Sequence, residues 1–339
     1  MLTRRTLMGG TAAVLSSVAA PQVLAQPKPL AIRAGYAAPP SAQLASIFLA
    51  KPELLKHHGK SYTYEPVLFR SSSLQVTALA ANELNFGNYA FSTFHQAVTN
   101  ANITDLKVIG DEAEDGFPGY FGTQIRVNKD SGINKIEDLK GKVIATLSIG
   151  SGIDFIFRYI VRQHGLEVNR DFSYLETPFP TMKGVLLNKK VDAAYFAQPF
   201  ASDPEVLEQT KVLFRPGDIL GPLMQNFPCA RAGFIAQNRP ALVDFLEDFL
   251  RVARWHYDPA NHKEAVKISS EATKVPEAVL QRFIFTKDDS YRNPDGLPDL
   301  NALQKNWGML QELGVSKQEL KVNDYADLSL IKEAAARLK

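Results

Sequence analysis

Ala78-Leu79-Ala80-Ala81-Asn82-Glu83-Leu84-Asn85-Phe86-Gly87-Asn88-Tyr89-Ala90 aligns without gaps with Val185-Leu186-Leu187-Asn188-Lys189-Lys190-Val191-Asp192-Ala193-Ala194-Tyr195-Phe196-Ala197. In both, an apolar helix end runs through a polar turn into an aliphatic residue, then Asn or Asp, small or apolar residues, an aromatic and Ala. Helix-turn-strand units recur freely, so the match reads either as one such recurrence or as two related α/β lobes. The second reading organises the chain. Each lobe then presents a strand end, Tyr89-Ala90-Phe91-Ser92 in one and Tyr195-Phe196-Ala197-Gln198 in the other, at equivalent positions. In open α/β sheets, ligands sit beyond the carboxyl ends of the strands. Two such lobes facing each other make a cleft.

Outward from this pair the pattern alternates. Leu30 to Tyr36 reads as a strand, Ser41 to His58 as a helix, Tyr62 to Phe69 as a strand and Ser72 to Asn82 as a helix. Strands follow at Leu84 to Ala90, Leu106 to Gly110, Gly122 to Val127, Val143 to Ile149, Phe172 to Glu176, Val191 to Ala197, Lys211 to Arg215 and Ala230 to Ala236, with a helix at Phe91 to Asn100. Strands separated by helices predict parallel α/β sheets. From Arg239 onward the chain reads as almost wholly helical: Pro240 to Tyr257, Lys263 to Thr273, Pro276 to Phe285, Asn301 to Gly314 and Leu328 to Lys339.

The 339 residues, 45% hydrophobic and 22% charged, exclude disorder and collagen-like repeats. Lys+Arg 38 against Asp+Glu 36 gives +2, and setting aside Arg4 and Arg5 leaves 36 of each sign. A neutral chain has no bulk attraction for nucleic acid, so none is expected as a partner. Cys229 is the single cysteine, which rules out an internal disulfide, a cysteine-based zinc site and an iron–sulfur cluster. Thr3-Arg4-Arg5-Thr6-Leu7 precedes an uncharged stretch to Leu24, with Val23-Leu24-Ala25 before Gln26. This reads as a cleaved twin-arginine-type signal peptide over residues 1–25. Gly9, Gly10, Ser16, Ser17 and Pro21 interrupt the stretch and argue against a membrane anchor. The expected location is periplasmic.

Phe69-Arg70-Ser71-Ser72-Ser73-Leu74-Gln75-Val76-Thr77-Ala78-Leu79, Glu83 to Gly87, Asp130-Ser131-Gly132-Ile133-Asn134-Lys135-Ile136-Glu137-Asp138-Leu139-Lys140-Gly141-Lys142-Val143, and Lys190-Val191-Asp192-Ala193 with Pro199 carry a family likeness. Over about residues 30–260 the chain resembles the periplasmic substrate-binding proteins of the nitrate, sulfonate, taurine and thiamine-precursor ABC importer family. That resemblance implies a two-lobed periplasmic binding protein type II fold, here with additional C-terminal helices. It also implies a ligand in the interlobe cleft and delivery to ABC permease and ATPase subunits. The loops expected to set specificity are richer in Tyr and Phe than the sulfonate pattern, so substrate identity is not carried over.

The mature chain has no His-Glu-x-x-His, no phosphate-binding Gly-x-x-x-x-Gly-Lys-Ser/Thr, no Gly-x-Gly-x-x-Gly and no Gly-x-Ser-x-Gly. His57-His58 beside Gly59 reads as a helix cap, and His95 and His164 as helix-surface residues. Asp111-Glu112 and Asp288-Asp289 are expected to be solvated. Ser71, Ser72 and Ser73 follow a strand and open a helix, where hydroxyls and N–H groups hold an anion or simply cap. Ser148-Ile149-Gly150-Ser151-Gly152 repeats the arrangement, its glycines permitting close approach or left-handed backbone. Arg70 is the fixed cation of a predicted cleft loop. Tyr36, Tyr89, Phe91, Tyr120, Phe121, Tyr195 and Phe196 fall at strand ends or beside them. The expected ligand set is Tyr36, Arg70, Ser71, Ser72, Tyr89, Phe91, Ser92, Gly119, Tyr120, Gly150, Ser151, Gly152, Tyr195 and Gln198.

The reading is a monomeric, exported solute-binding component of an ABC importer, taking a small organic solute that is acidic and can be aromatic, with no cofactor, no metal and no enzymatic activity. Two alternatives stay open: a pyrimidine-related enzyme on the same fold, and a sensor subunit that presents ligand to a membrane receptor. Lobe 1 is expected over 27–118 plus 217–339 and lobe 2 over 120–214. The crossings fall near Gly119-Tyr120-Phe121-Gly122 and Arg215-Pro216-Gly217, whose glycines and prolines suit a hinge.

Overall fold

The computed structural model describes residues 28–37, 43–70 and 72–339. The leader at 1–25, Ser71 and the start of the expected Ser41 to His58 helix lie outside the described residues. In chain order the elements begin β1 (Leu30–Ala37), β2 (Tyr62–Phe69), α1 (Ser72–Ala80), β3 (Phe86–Tyr89), α2 (Phe91–Thr99), β4 (Leu106–Val108) and β5 (Ala113–Asp115). They continue β6 (Gln124–Asn128), β7 (Val143–Thr146), α3 (Gly152–Gln163), β8 (Ser173–Glu176), α4 (Phe179–Leu187), β9 (Ala193–Phe196), α5 (Pro204–Gln209) and β10 (Thr210–Phe214). The last are α6 (Pro216–Leu220), β11 (Leu223–Arg231), α7 (Ala232–Tyr257), α8 (His262–Thr273), α9 (Glu277–Leu280), α10 (Leu300–Glu312) and α11 (Ser329–Ala336).

The strands form two sheets. One has the order β2-β1-β3-β11-β4, with β5 also on β11, and the other β10-β6-β9-β7-β8. This is the two-lobed periplasmic binding protein fold with helices packed on its sheets. The sheets are mixed, where the helix–strand alternation predicts parallel ones. β1 pairs in parallel with β2 and β3, and β7 with β8 and β9, but β11 runs antiparallel to β3, β4 and β5, and β6 antiparallel to β9 and β10. β11 follows the return passage from the second sheet and enters against β3, β4 and β5, whereas β6 opens the second sheet after the outward passage, and β9 and β10 later pair against it.

Every residue of β3, β6 and β9 is buried, the pattern of strands covered on both faces. In α3, Ile156, Phe157, Ile160 and Val161 are buried at helical spacing, while Arg158 and Arg162 face outward. α2 packs beneath α10: Phe94 stacks on Trp307 at 5.3 Å, and Trp307 Nε1 donates to the Phe91 carbonyl at 3.0 Å. Phe245 of α7 fills the other face of the first sheet, 5.4 Å from Tyr64 and 5.5 Å from Tyr62, Phe86 and Phe48.

Several local expectations are corrected. The stretch after Gln43 forms three single turns of 3-10 helix, Leu44–Ser46, Phe48–Ala50 and Pro52–Leu54, the last beginning at Pro52, which cannot continue a helix begun before it. The strand expected at Ala230 to Ala236 is β11, which ends at Arg231, and helix follows at once; Asn238 breaks the helical geometry of α7 two residues before Pro240. His95 is buried against Trp307 rather than exposed on its helix.

Asp111 and Glu112 are buried rather than solvated, as are Glu114 and Asp115, and of the Asp288-Asp289 pair Asp289 is buried. The backbone of 111–114 is held by Gly296, Asn226 and Tyr291 carbonyls at 2.8 to 3.0 Å, partners from the far end of the chain. Glu112 accepts from Leu44 N and Asn88 Nδ2. Burial pushes its carboxyl up to about 7 against the pull of Arg292, and burial beside Asp299 does the same to Glu114.

Candidate functional site

Between the two sheets lies a cavity of about 140 Å³, room for several waters or a small organic molecule. Four helices aim their N-termini at it: the first residues of α1, α2, α3 and α4, namely Ser72, Phe91, Gly152 and Phe179, all line its wall. Each helix N-terminus carries partial positive charge and unsatisfied N–H groups. α2 follows Ala90 and α4 follows Pro178, neither of which caps with a side chain, so these ends keep donors for an occupant.

Local chemistry sets the ends precisely against one another. Ser151 is the N-cap of α3, its hydroxyl accepting from Asp154 N at 3.3 Å, while Asp154 Oδ2 accepts from Gly150 N at 2.8 Å. Gly150 takes φ +80°, which glycine adopts without strain. Gly152 abuts α2: a Cβ there would stand 3.1 Å from Ser92 Oγ and 3.5 Å from the Phe91 ring. Across the same contact Gln96 Nε2 donates to the Gly150 carbonyl at 3.1 Å. Ser72 Oγ and Thr93 Oγ1 share a hydrogen bond of 2.6 Å, tying α1 to α2.

The floor is a buried hydrogen-bonded chain from one sheet to the other. Tyr195 OH donates to Thr123 Oγ1 at 2.7 Å, and the Thr123 hydroxyl donates in turn to Asp115, whose other oxygen accepts Thr123 N at 2.7 Å. Burial raises the Asp115 carboxyl above its ordinary value although the Thr123 donors oppose it. The walls are apolar: Phe121, Leu147, Ile153, Ile156, Leu223 and Phe283. Arg70 is the one basic side chain among the described residues that line the cavity; it is exposed and makes no ion pair with any described residue. Gln198 donates to the Asp288 carbonyl at 2.9 Å, and its buried Oε1 has no partner among the described residues.

Of the residues expected to bind, Arg70, Ser72, Phe91, Ser151, Gly152, Tyr195 and Gln198 line this cavity. Tyr36, Tyr89, Ser92, Gly119, Tyr120 and Gly150 do not. Tyr89 is wholly buried against Gly87, because its side chain alternates to the core face of β3. Ser92 lies beneath Gly152, and Tyr36 is half-buried at the end of β1. Gly119 is exposed at φ +82°, and Tyr120 packs against Tyr291 at 5.1 Å. Ser73, named with its neighbours at the helix start but left out of the expected set, also lines the cavity, and Thr93, Thr123, Asp115, Leu223 to Asn226, Asp289 and Ser290 join it unexpected. Ser73 and Thr93 were within reach of the sequence, each sitting in the first turn of a helix that opens at a strand end. The segments 223–226 and 283–290 carried no local signal, since only long-range folding brings them to the cavity.

His57, Asp244 and Glu247 bring ligand atoms within 4.8 Å of one another on α7 and the turn facing it. Arg337 pairs with both carboxylates and Arg251 with Glu247, so the group is an ion-pair network with its charge already matched.

The sequence model of the NMT1-like family matches residues 25–270. No curated protein matches the sequence. Among solved structures, the periplasmic aliphatic sulphonate binding protein SsuA from Escherichia coli superposes with TM-score 0.70 at 18% identity, covering 88% of this chain and 92% of that one. The periplasmic nitrate-binding protein NrtA from Synechocystis PCC 6803 gives TM-score 0.69 at 16% identity over 92% and 89%. The desulfurization enzyme DSZB gives TM-score 0.64 at 13% identity over 91% and 100%. At these identities the likeness is one of fold. No helix among the described residues is long and apolar enough to cross a membrane.

Proposed function

The chain belongs to the NMT1-like family, and from that premise we propose that it is the solute-binding component of an ABC importer. It captures a small organic solute bearing an acidic group and delivers it to a membrane permease. The observation that carries this reading is the convergence of four helix N-termini with Arg70 on one largely apolar cavity. The uncapped ends of α2 and α4 together with Arg70 favour an anion, although Asp154 already occupies the α3 end, and the Phe, Leu and Ile walls favour a carbon body attached to it. The proposal includes export through the twin-arginine leader to the periplasm. It also includes two lobes, 27–118 plus 217–339 and 120–214, that close by bending where the chain crosses between the sheets.

Catalysis on this fold is the rival, since DSZB shares the architecture. Against it, no histidine or cysteine is among the described lining residues, and the hydroxyls of Ser72 and Thr123 are engaged with Thr93 and Asp115. A thermal-shift screen over alkanesulfonates, aromatic carboxylates, nitrate and pyrimidines tests the reading, because a ligand of the folded state stabilises it by RT ln(1 + [L]/Kd). A large rise in Tm with an organic acid, and recovery of that acid unchanged, is the expected result. Stabilisation by none of the acids, or turnover of any of them, overturns it.

A further inference from the structure

A second cavity, of about 640 Å³, opens on the far side of the segment 285–292 from the interlobe cleft. Its walls include Tyr120, Tyr257 and Tyr291, and its basic side chains are Arg254, His262, Lys287 and Arg292, with no carboxylate among the described lining residues. Two of these cations are already matched. Arg254 pairs with Asp295 at 2.6 Å, and buried Arg292 pairs with Asp289 at 3.3 Å and lies 5.5 Å from the Tyr257 ring centre. Lys287 is exposed and has no ion pair among the described residues, and neither has His262. His262 is the first residue of α8, whose N-cap Asn261 makes no side-chain cap, so the helix dipole is positive there; Glu264, the acidic residue of the same turn, is paired with Lys51 at 2.6 Å.

The aromatic side of the cavity is rigid. Phe117 stacks on Tyr291 at 3.7 Å, and Tyr120 meets Tyr291 edge-on at 5.1 Å. The backbone behind it is pinned, Phe121 N donating to the Lys287 carbonyl at 2.8 Å and Tyr291 O accepting from Glu114 N at 2.9 Å. A fixed aromatic wall facing an unmatched ammonium, an imidazole and a helix N-terminus recognises a planar ring that carries a negative group. We propose that this cavity is a second binding site, separate from the cleft, for a small aromatic carboxylate or sulfonate. The proposal does not depend on what the cleft holds.

The segment between the sites is shared: Phe283, Asp289 and Ser290 line the cleft, while Phe285, Thr286, Lys287 and Tyr291 line the second cavity. The test must therefore separate the two. 4-Fluorobenzoate and benzenesulfonate are titrated into the full chain by fluorine and proton NMR, with cyclohexanecarboxylate and inorganic phosphate as controls. Expected are shifts of the Tyr257 and Tyr291 ring signals and weakening by about ten-fold or more in Lys287→Glu, with a smaller loss in His262→Ala. Binding should persist in Gly152→Val, which obstructs the cleft. Should that variant fold poorly, the ring shifts in the native chain read the same question. Ring signals that do not move, an affinity untouched by Lys287→Glu, or equal binding of phosphate or cyclohexanecarboxylate would each overturn the proposal.

Discussion

Gly116 and Gly217 meet backbone to backbone where the chain passes between the two sheets, and a Cβ built on either would overlap the Cα of the other. One follows β5 on the way out of the first sheet, and the other precedes β11 on the way back. The two passages can run side by side only because neither has a side chain.

Gly217→Ala should therefore destabilise the protein by about 1–3 kcal/mol, the range for forcing a methyl into packed backbone. Gly184→Ala is the control: it lies exposed in the middle of α4 with open space at its Cβ, and should stabilise by about 0.5–1 kcal/mol. Urea unfolding of the two variants should move in opposite directions. Equal shifts would mean that the passages separate in solution.

Gly152→Val should abolish ligand binding and leave most of the fold's stability intact. Its branches would meet Ser92 Oγ and the Phe91 ring, holding the N-termini of α3 and α2 apart. Gly150→Ala, at φ +80° with nothing near its Cβ, should cost about 1–2 kcal/mol of stability through backbone strain and spare binding. Calorimetric titration of both variants with the ligand found by thermal shift distinguishes approach from strain.

Arg70→Ala should weaken an anionic ligand by about ten-fold, the low end for a hydrogen bond to a charged group, because Arg70 is exposed to solvent screening. The native affinity should fall with added salt more steeply than that of the variant. Parallel salt dependence would leave the helix N-termini as the whole anion site.

Thr123→Val keeps the shape of the side chain and removes its hydroxyl. Tyr195 loses its acceptor and Asp115 a donor, both fully buried, so a loss of about 1–3 kcal/mol is expected. Chemical denaturation measures it, and a neutral outcome would show that water replaces the hydroxyl.

The contribution of Glu112 to stability should fall as the pH rises from about 4.5 to about 7, while buried His256, its pKa held down to about 4, works in the opposite sense. Glu112 in the fold holds its proton up to about 7, above its ordinary 4.5, so the folded state binds more protons in that window. The contribution is complete below 4.5 and lost as the pH passes 7, up to about 3 kcal/mol for a shift of this size. In Tm profiles from about pH 4 to 8 the native chain should lose stability relative to Glu112→Gln as the pH passes from about 4.5 to about 7, the difference isolating Glu112 from the histidines. A constant difference between the two profiles would put the titration elsewhere in the buried group, with Glu114 the next to replace.

The helix-turn-strand repeat was legible because its forces are local. Asn82 and Lys189, aligned in the sequence, both take left-handed backbone, at φ 57° and 55°. Glu83 N bonds to Ala78 O at 2.8 Å just as Lys190 N bonds to Val185 O at 2.9 Å, and β3 and β9 then cover equivalent residues. The hydrogen bonds span five residues, so a short stretch of sequence fixes them. The same holds for the Ser151 cap and for the helices that open at Ser72 and Phe91.

Tertiary structure alone decided what the strand ends face. Tyr89 aligns with Phe196 and Tyr195 with Asn88, so alternation puts the two tyrosines on opposite faces of their strands. That one face is sealed in the core and the other reaches the cavity floor follows from what packs on each sheet. Asp111 to Asp115 look like a solvated loop until residues 223–226 and 291–296 close over them, and those partners lie more than a hundred residues away in the chain. Burial then changes their chemistry as well as their place: a carboxylate taken out of water keeps its proton, and no reading of neighbours along the sequence contains that desolvation.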